Sequence, residues 1–116
     1  MTEKEQKILD YVEKRKKFKL EYDNQAKTSL QIKESLEKQG ITKETLIKDI
    51  EEYNTVLSDI THDDLKDDKL VGDLQKIRMK FLALRRICFV VGIANNSEVP
   101  QIKVLEDEQQ QDGGNS

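Results

Sequence analysis

The chain has no tryptophan, one proline, one cysteine and one histidine among its 116 residues. A single cysteine, Cys88, cannot form an internal disulfide. With one histidine beside it there is no Cys/His set for a structural zinc. No glycine-rich phosphate loop, paired-cysteine motif, HExxH helix or nucleophile elbow is present, so neither an enzyme nor a cofactor is expected. The only adjacent glycines, Gly113 and Gly114, lie in a polar tail. The opening MTEKEQK lacks the apolar stretch of a secretory signal and mixes acids with bases, unlike a transit peptide. The expected setting is therefore intracellular, cytoplasmic or nuclear, and the Asn95-Asn96-Ser97 sequon reads as a polar turn.

What remains is charge. Charged residues make up 37% of the chain and hydrophobic ones 35%, and the few breakers leave the composition of long helices. The net charge of −3 hides an alternation: ten bases and eight acids in residues 1–39, four and ten in 40–75, five and none in 76–92, one and five in 93–116. Unlike blocks favour antiparallel folding back, and they favour a steered partner surface.

Periodicity predicts an all-α fold, a long helical hairpin or broken coiled coil with segments at about 3–39, 43–60 and 64–91. The first carries a heptad-like seam from Ile8 through Tyr11, Arg15, Phe18, Tyr22 and Ile32 to Leu36, polar in its middle. Gly40 is placed to end it in a left-handed conformation. Thr42 is placed as the next N-cap, with Ile41 and Leu46 as a hydrophobic staple. Leu46, Ile50, Tyr53, Leu57 and Ile60 form the cleanest seam. The stripe on Leu70, Leu74, Ile77, Phe81, Leu84, Cys88 and Val91 runs one residue out of step with it, which predicts a kink or short break between about 60 and 65. Thr61 or Asp63 is a candidate cap for the helix that follows. Gly92 ends that helix.

Residues 1–92 are expected to form the helical domain, 93–105 an extended arm or short strand, and 106–116 a disordered polar tail. A hairpin burying one stripe per helix has too little apolar area to order so many residues, so further helices are expected from a protein partner or a second copy. The expected partner interface is Leu70, Leu74, Ile77, Phe81, Leu84, Ile87, Cys88 and Val91, with Leu82, Phe89 and Val90 widening it. Two arginines, Arg85 and Arg86, interrupt the apolar run KIRMKFLALRRICFVVGIA, which argues against a transmembrane helix and leaves an amphipathic surface helix as a rival.

Two basic blocks raise a second reading. Lys14, Arg15, Lys16, Lys17 and Lys19 surround Phe18, and Arg85 and Arg86 lie in the later block; these are the candidate contacts to phosphate or nucleic acid. Against this, a helix distributes five such charges around its girth, where they also suit pairing with the acidic segment that follows. His62 beside Asp63 and Asp64 resembles a metal corner, but a lone histidine in an acidic turn is better read as solvated or capping. Cys88, on an apolar stripe, reads as core. The function expected is that of a non-enzymatic assembly subunit docking through helical faces into a larger complex. The alternative is a nucleic-acid-associated or chromatin-associated adaptor. Heptads are shared too widely to point to a family.

Overall fold

A computed structural model describes residues 2–17 and 28–105. Four α-helices form the body: α1 (Glu3–Lys16), α2 (Ser29–Lys38), α3 (Lys43–Ser58) and α4 (Asp68–Val90), with a single 3-10 turn at His62–Asp64 before α4 and no strand among the described residues. The fold is all-helical as expected, but it has four helices instead of three.

The first expected segment is two helices. Lys17 closes α1, and Thr28 opens α2 with an extended backbone (φ −122°, ψ 153°). Thr28 Oγ1 accepts from the Gln31 amide at 3.1 Å while the Gln31 side chain accepts from the Thr28 amide at 3.2 Å. This reciprocal cap satisfies two amides that only a helix start leaves orphaned. Phe18, Tyr22 and Gln25, the middle of the expected seam, lie outside the described residues.

The turn into α3 follows the expected chemistry. Gly40 takes φ +82°, and the Ile41 amide reaches back to the Leu36 carbonyl while Gly40 bonds Glu37, each at 3.0 Å. That is a Schellman end, and its characteristic apolar pair, Leu36 and Ile41, is buried. Thr42 caps α3 with Thr45 as its reciprocal partner, and both staple residues, Ile41 and Leu46, are buried. Gly92, also at φ +82°, ends α4 in the same way: the Ile93 amide bonds the Cys88 carbonyl at 2.9 Å and Gly92 bonds Phe89 at 3.3 Å.

The break between the seams is present. α3 stops at Ser58, and Asp67, not Thr61 or Asp63, caps α4 by accepting from the Lys69 amide at 2.9 Å. Thr61 instead donates its amide to Asp64 at 2.9 Å, and Leu65 plugs the core from within an otherwise acidic turn.

The core lies where α1, α3 and α4 meet. Ile8 and Val12 of α1, Ile50 and Tyr53 of α3, and Leu74 and Cys88 of α4 are all but inaccessible. Every position of the α3 seam from Leu46 to Ile60, and every position of the α4 stripe from Leu70 to Val91, is buried. The apolar area that a bare hairpin lacks comes from folding α1 across both helices and from residues 93–105, whose Ala94, Val99 and Ile102 join the same core.

The arm has no regular structure, and side chains hold it by its backbone. Asn54 of α3 donates to the Gln101 carbonyl at 2.8 Å and accepts from the Lys103 amide at 2.7 Å, imitating one rung of a ladder. Arg85 of α4 donates to the carbonyls of Pro100 and Val99 at 3.2 and 3.3 Å and to the Asn96 side chain at 2.9 Å. Lys43 and Glu98 close the near end at 2.7 Å. The expected tail, 106–116, lies outside the described residues.

Candidate functional site

The eight residues expected to face a partner are turned inward. Leu70, Leu74, Ile77, Phe81, Leu84, Cys88 and Val91 are buried in the chain's own core, and Ile87 is half-buried against it. The stripe is covered within the chain itself. Phe81 makes this concrete. Its ring meets Tyr53 edge-on at 5.6 Å, and Tyr53 in turn meets Tyr11 at 6.2 Å, so one aromatic chain ties α4 to α3 and α1.

The candidate anion-binding residues do not share a surface either. Arg15, with a side chain only 11% exposed, points into the helix junction, where its Nη2 lies 3.1 Å from Asp49 and 3.6 Å from Glu52. Its guanidinium stands 5.0 Å over the Phe81 ring and 5.6 Å from that of Tyr11, whose hydroxyl oxygen accepts from Nε at 3.3 Å. Burial works against the charged form, but the Asp49 bond and the contact with Tyr11 outweigh it and hold the group above its ordinary value. This arginine therefore locks α1 to α3. Lys14 pairs with Glu52 at 3.1 Å and Lys16 with Asp73 at 3.3 Å, while Lys17 is exposed and Lys19 lies outside the described residues. In the later block, Arg85 is committed to the arm and stacks over Phe89 at 4.6 Å, leaving Arg86 on the exposed side.

Cys88 is wholly enclosed, and burial pushes its thiol up to about 11, which suits packing and not nucleophilic or redox work. Tyr53 is raised to about 12 by the same cause, and its hydroxyl donates to the Leu74 carbonyl at 3.2 Å. Among the described residues no three His, Cys, Asp or Glu side chains gather as a metal site, and no helix is long and apolar enough to cross a membrane. A shallow hollow of about 510 Å³ between the start of α1 and the end of α3 is lined by mixed lysines and acids around Ile8, Val56 and Ile60.

The feature left over is the opposite side of α4. Gly72, Lys76, Met79, Ala83, Arg86 and Val90 follow a second 4-3-4-3-4 spacing, two residues out of phase with the buried stripe. Met79 is 61% exposed and Val90 70%, the two large hydrophobic side chains that this helix exposes. Ala83, Lys76 and Arg86 are exposed beside them, and a Cβ added to Gly72 would meet no atom within 4 Å. Half-buried Leu82, Ile87 and Phe89 flank the seam. The width of the apolar face in the sequence pointed to Val90 but not to Met79 or Ala83, which stand among bases and carry no apolar periodicity of their own. Of the widening residues, Leu82, Ile87 and Phe89 are half-buried beside the core, and Val90 lies on the outer seam.

No family model, curated protein or solved structure matches this chain.

Proposed function

We propose that the chain is a non-enzymatic binding module, an assembly subunit that docks a protein partner on the outward seam of α4, in the cytoplasm or nucleus. The observation that carries this reading is the exposure of Met79 and Val90 on one face of a helix whose other face is already satisfied. Large apolar groups lying along one seam, spaced as helix-packing positions are, suit association better than isolated surface residues do. Asp49, Glu52 and Asp73 of the acidic 40–75 segment pair with bases of α1, and residues 76–92 hold no acid, so the later part of α4 presents apolar and basic character together.

The test is a pull-down of the full-length protein with Met79→Asp and Val90→Asp together. Because both residues are exposed, the double variant keeps the helical spectrum and melting temperature of the parent while its partner is lost. Retention of every partner by a folded double variant refutes the reading.

A second reading, nucleic-acid association, draws on Lys76, Lys80 and Arg86, which are exposed on α4 within the acid-free span. It requires steep weakening of binding to single-stranded or duplex probes as salt rises. No binding at low salt ends it.

A further inference from the structure

Building on that reading of the outer α4 seam, we propose that its occupant is an amphipathic helix of a partner protein that carries two acidic side chains ten residues apart, with apolar residues three and seven positions after the first. Spacing supplies the helix. Exposed Met79 and Val90, eleven residues apart, lie within about 20° of one another around the axis at ~100° per residue. With exposed Ala83 they line one narrow strip from Gly72 to Val90, about 27 Å long at ~1.5 Å per residue, the footprint that a helix lying along α4 covers.

Charge supplies the acids. Lys76 and Arg86 lie within the seam, Met79 and Ala83 lie between them, and the stretch 76–92 contains no acidic residue. Five bases elsewhere lie against acids, Lys4 against Asp64, Lys14 against Glu52, Arg15 against Asp49, Lys16 against Asp73 and Lys43 against Glu98, whereas the α4 stretch that carries Lys76 and Arg86 brings no acid of its own. Steps of three, four and three read the same in both directions, so the acid pattern holds for a parallel or an antiparallel partner.

The same charges argue against a second copy of this chain. A parallel pair sets Lys76 against Lys76 and Arg86 against Arg86, and an antiparallel pair centred on the seam sets Lys76 against Arg86 twice. Like charges at facing positions oppose both arrangements. Gly72 adds an independent hint. A glycine inside a helix is unfavourable, and here neither a positive φ nor a crowding neighbour requires it, which leaves close approach of an outside backbone as the use the site can make of it.

The experiment titrates the full-length protein at low salt with two synthetic helical peptides of equal length. One has glutamate at the two positions ten apart and leucine between; the other has lysine in place of glutamate. The glutamate peptide should bind roughly tenfold more tightly, since two facing pairs change from repulsive to attractive. A Lys76→Glu/Arg86→Glu variant, its fold checked by circular dichroism, should invert that preference. Equal binding of both peptides, or no binding of either at millimolar concentration, overturns the acidic-helix occupant and leaves the docking face standing. Peptide binding that Met79→Asp does not weaken overturns the docking face itself. Dimerisation, or binding to phosphatidylserine vesicles, that Met79→Asp abolishes replaces the acidic helix with a second copy or a lipid surface.

Discussion

Truncating Phe81 and truncating Met79, two residues apart on α4, should have very unequal consequences for stability. Phe81 is 6% exposed, packs edge-on against Tyr53 and lies under the Arg15 guanidinium. Phe81→Ala therefore loses the transfer free energy of a benzyl group and leaves a void, at about 3–5 kcal/mol, and it also removes the ring and cation contacts, each about 0.5–1.5 kcal/mol. That is a large share of the ~5–15 kcal/mol that a domain has in total. With ~4–8 °C of melting temperature per kcal/mol in a domain near this size, the variant should melt at least about 15 °C lower, or not fold at all. Met79, 61% exposed, should change stability by no more than about 0.5 kcal/mol on conversion to Ala. Thermal and urea unfolding followed by circular dichroism measures both. The parent should unfold in one cooperative transition at a midpoint independent of protein concentration, because its core is its own. If Phe81→Ala melts within a few degrees of the parent while Met79→Ala does not, the inner and outer faces of α4 have been assigned the wrong way round.

Asn54→Ala removes both bonds to the arm backbone, so amides of residues near 101–103 should exchange with solvent about tenfold faster or more, at ~1 kcal/mol per bond, while those of α3 and α4 keep their protection. Gly72→Ala should raise the stability of the isolated protein by about 0.5–1 kcal/mol, seen as a higher urea midpoint at unchanged slope, since the added methyl meets nothing. At alkaline pH the raised groups control stability: Cys88 and Tyr53 have folded values of about 11 and 12 against ordinary values of 9.0 and 10.0, so their contribution is intact below about pH 9 and is lost as pH rises through 11 to 12. Cys88→Ala should remove the earlier part of that loss, measured as the pH dependence of the urea midpoint. At the acid end, Lys43 and the Asn95 amide hold Glu98 below its ordinary 4.5, so its contribution is present above that value and fades as pH falls through the lower folded one; a Glu98 carboxyl titration followed by NMR should show the depressed midpoint return upward in Lys43→Ala.

Local chemistry explains which parts of the fold were legible. Gly40 and Gly92 end helices because each supplies φ > 0 next to an apolar residue that seals the turn, and Thr42 starts one because its hydroxyl lies within reach of the Thr45 amide. The break before α4 showed as two stripes one residue out of step. The split of the first segment was missed although Thr28-Ser29-Leu30-Gln31 has the pattern of a capping box, because a weak polar seam was carried across it. Thr2 and Glu5 form the same pattern at the start of α1, where the Glu5 amide donates to the Thr2 hydroxyl at 3.1 Å and the Glu5 side chain is buried. The roles of Arg15 and Arg85 were out of reach. A guanidinium reads as a surface charge until the groups that surround it are known, and apart from the Tyr11 and Phe89 rings, one helical turn away, those partners lie from 11 to 66 residues off along the chain.

By itself the sequence determined the helical class, the two glycine ends, the Thr42 start, the broken register and the apolar stripe of α4, all of which depend on contacts within a few residues or on a period along one helix. Only the tertiary structure decided that α1, α3 and the arm cover that stripe, that Lys14, Arg15 and Lys16 are spent on α3 and α4, and that Met79 and Val90 stay exposed on the outward side of α4. Periodicity tells a helix which of its faces is apolar, but the occupant of that face depends on contacts between distant segments, and those exist only once the chain has folded.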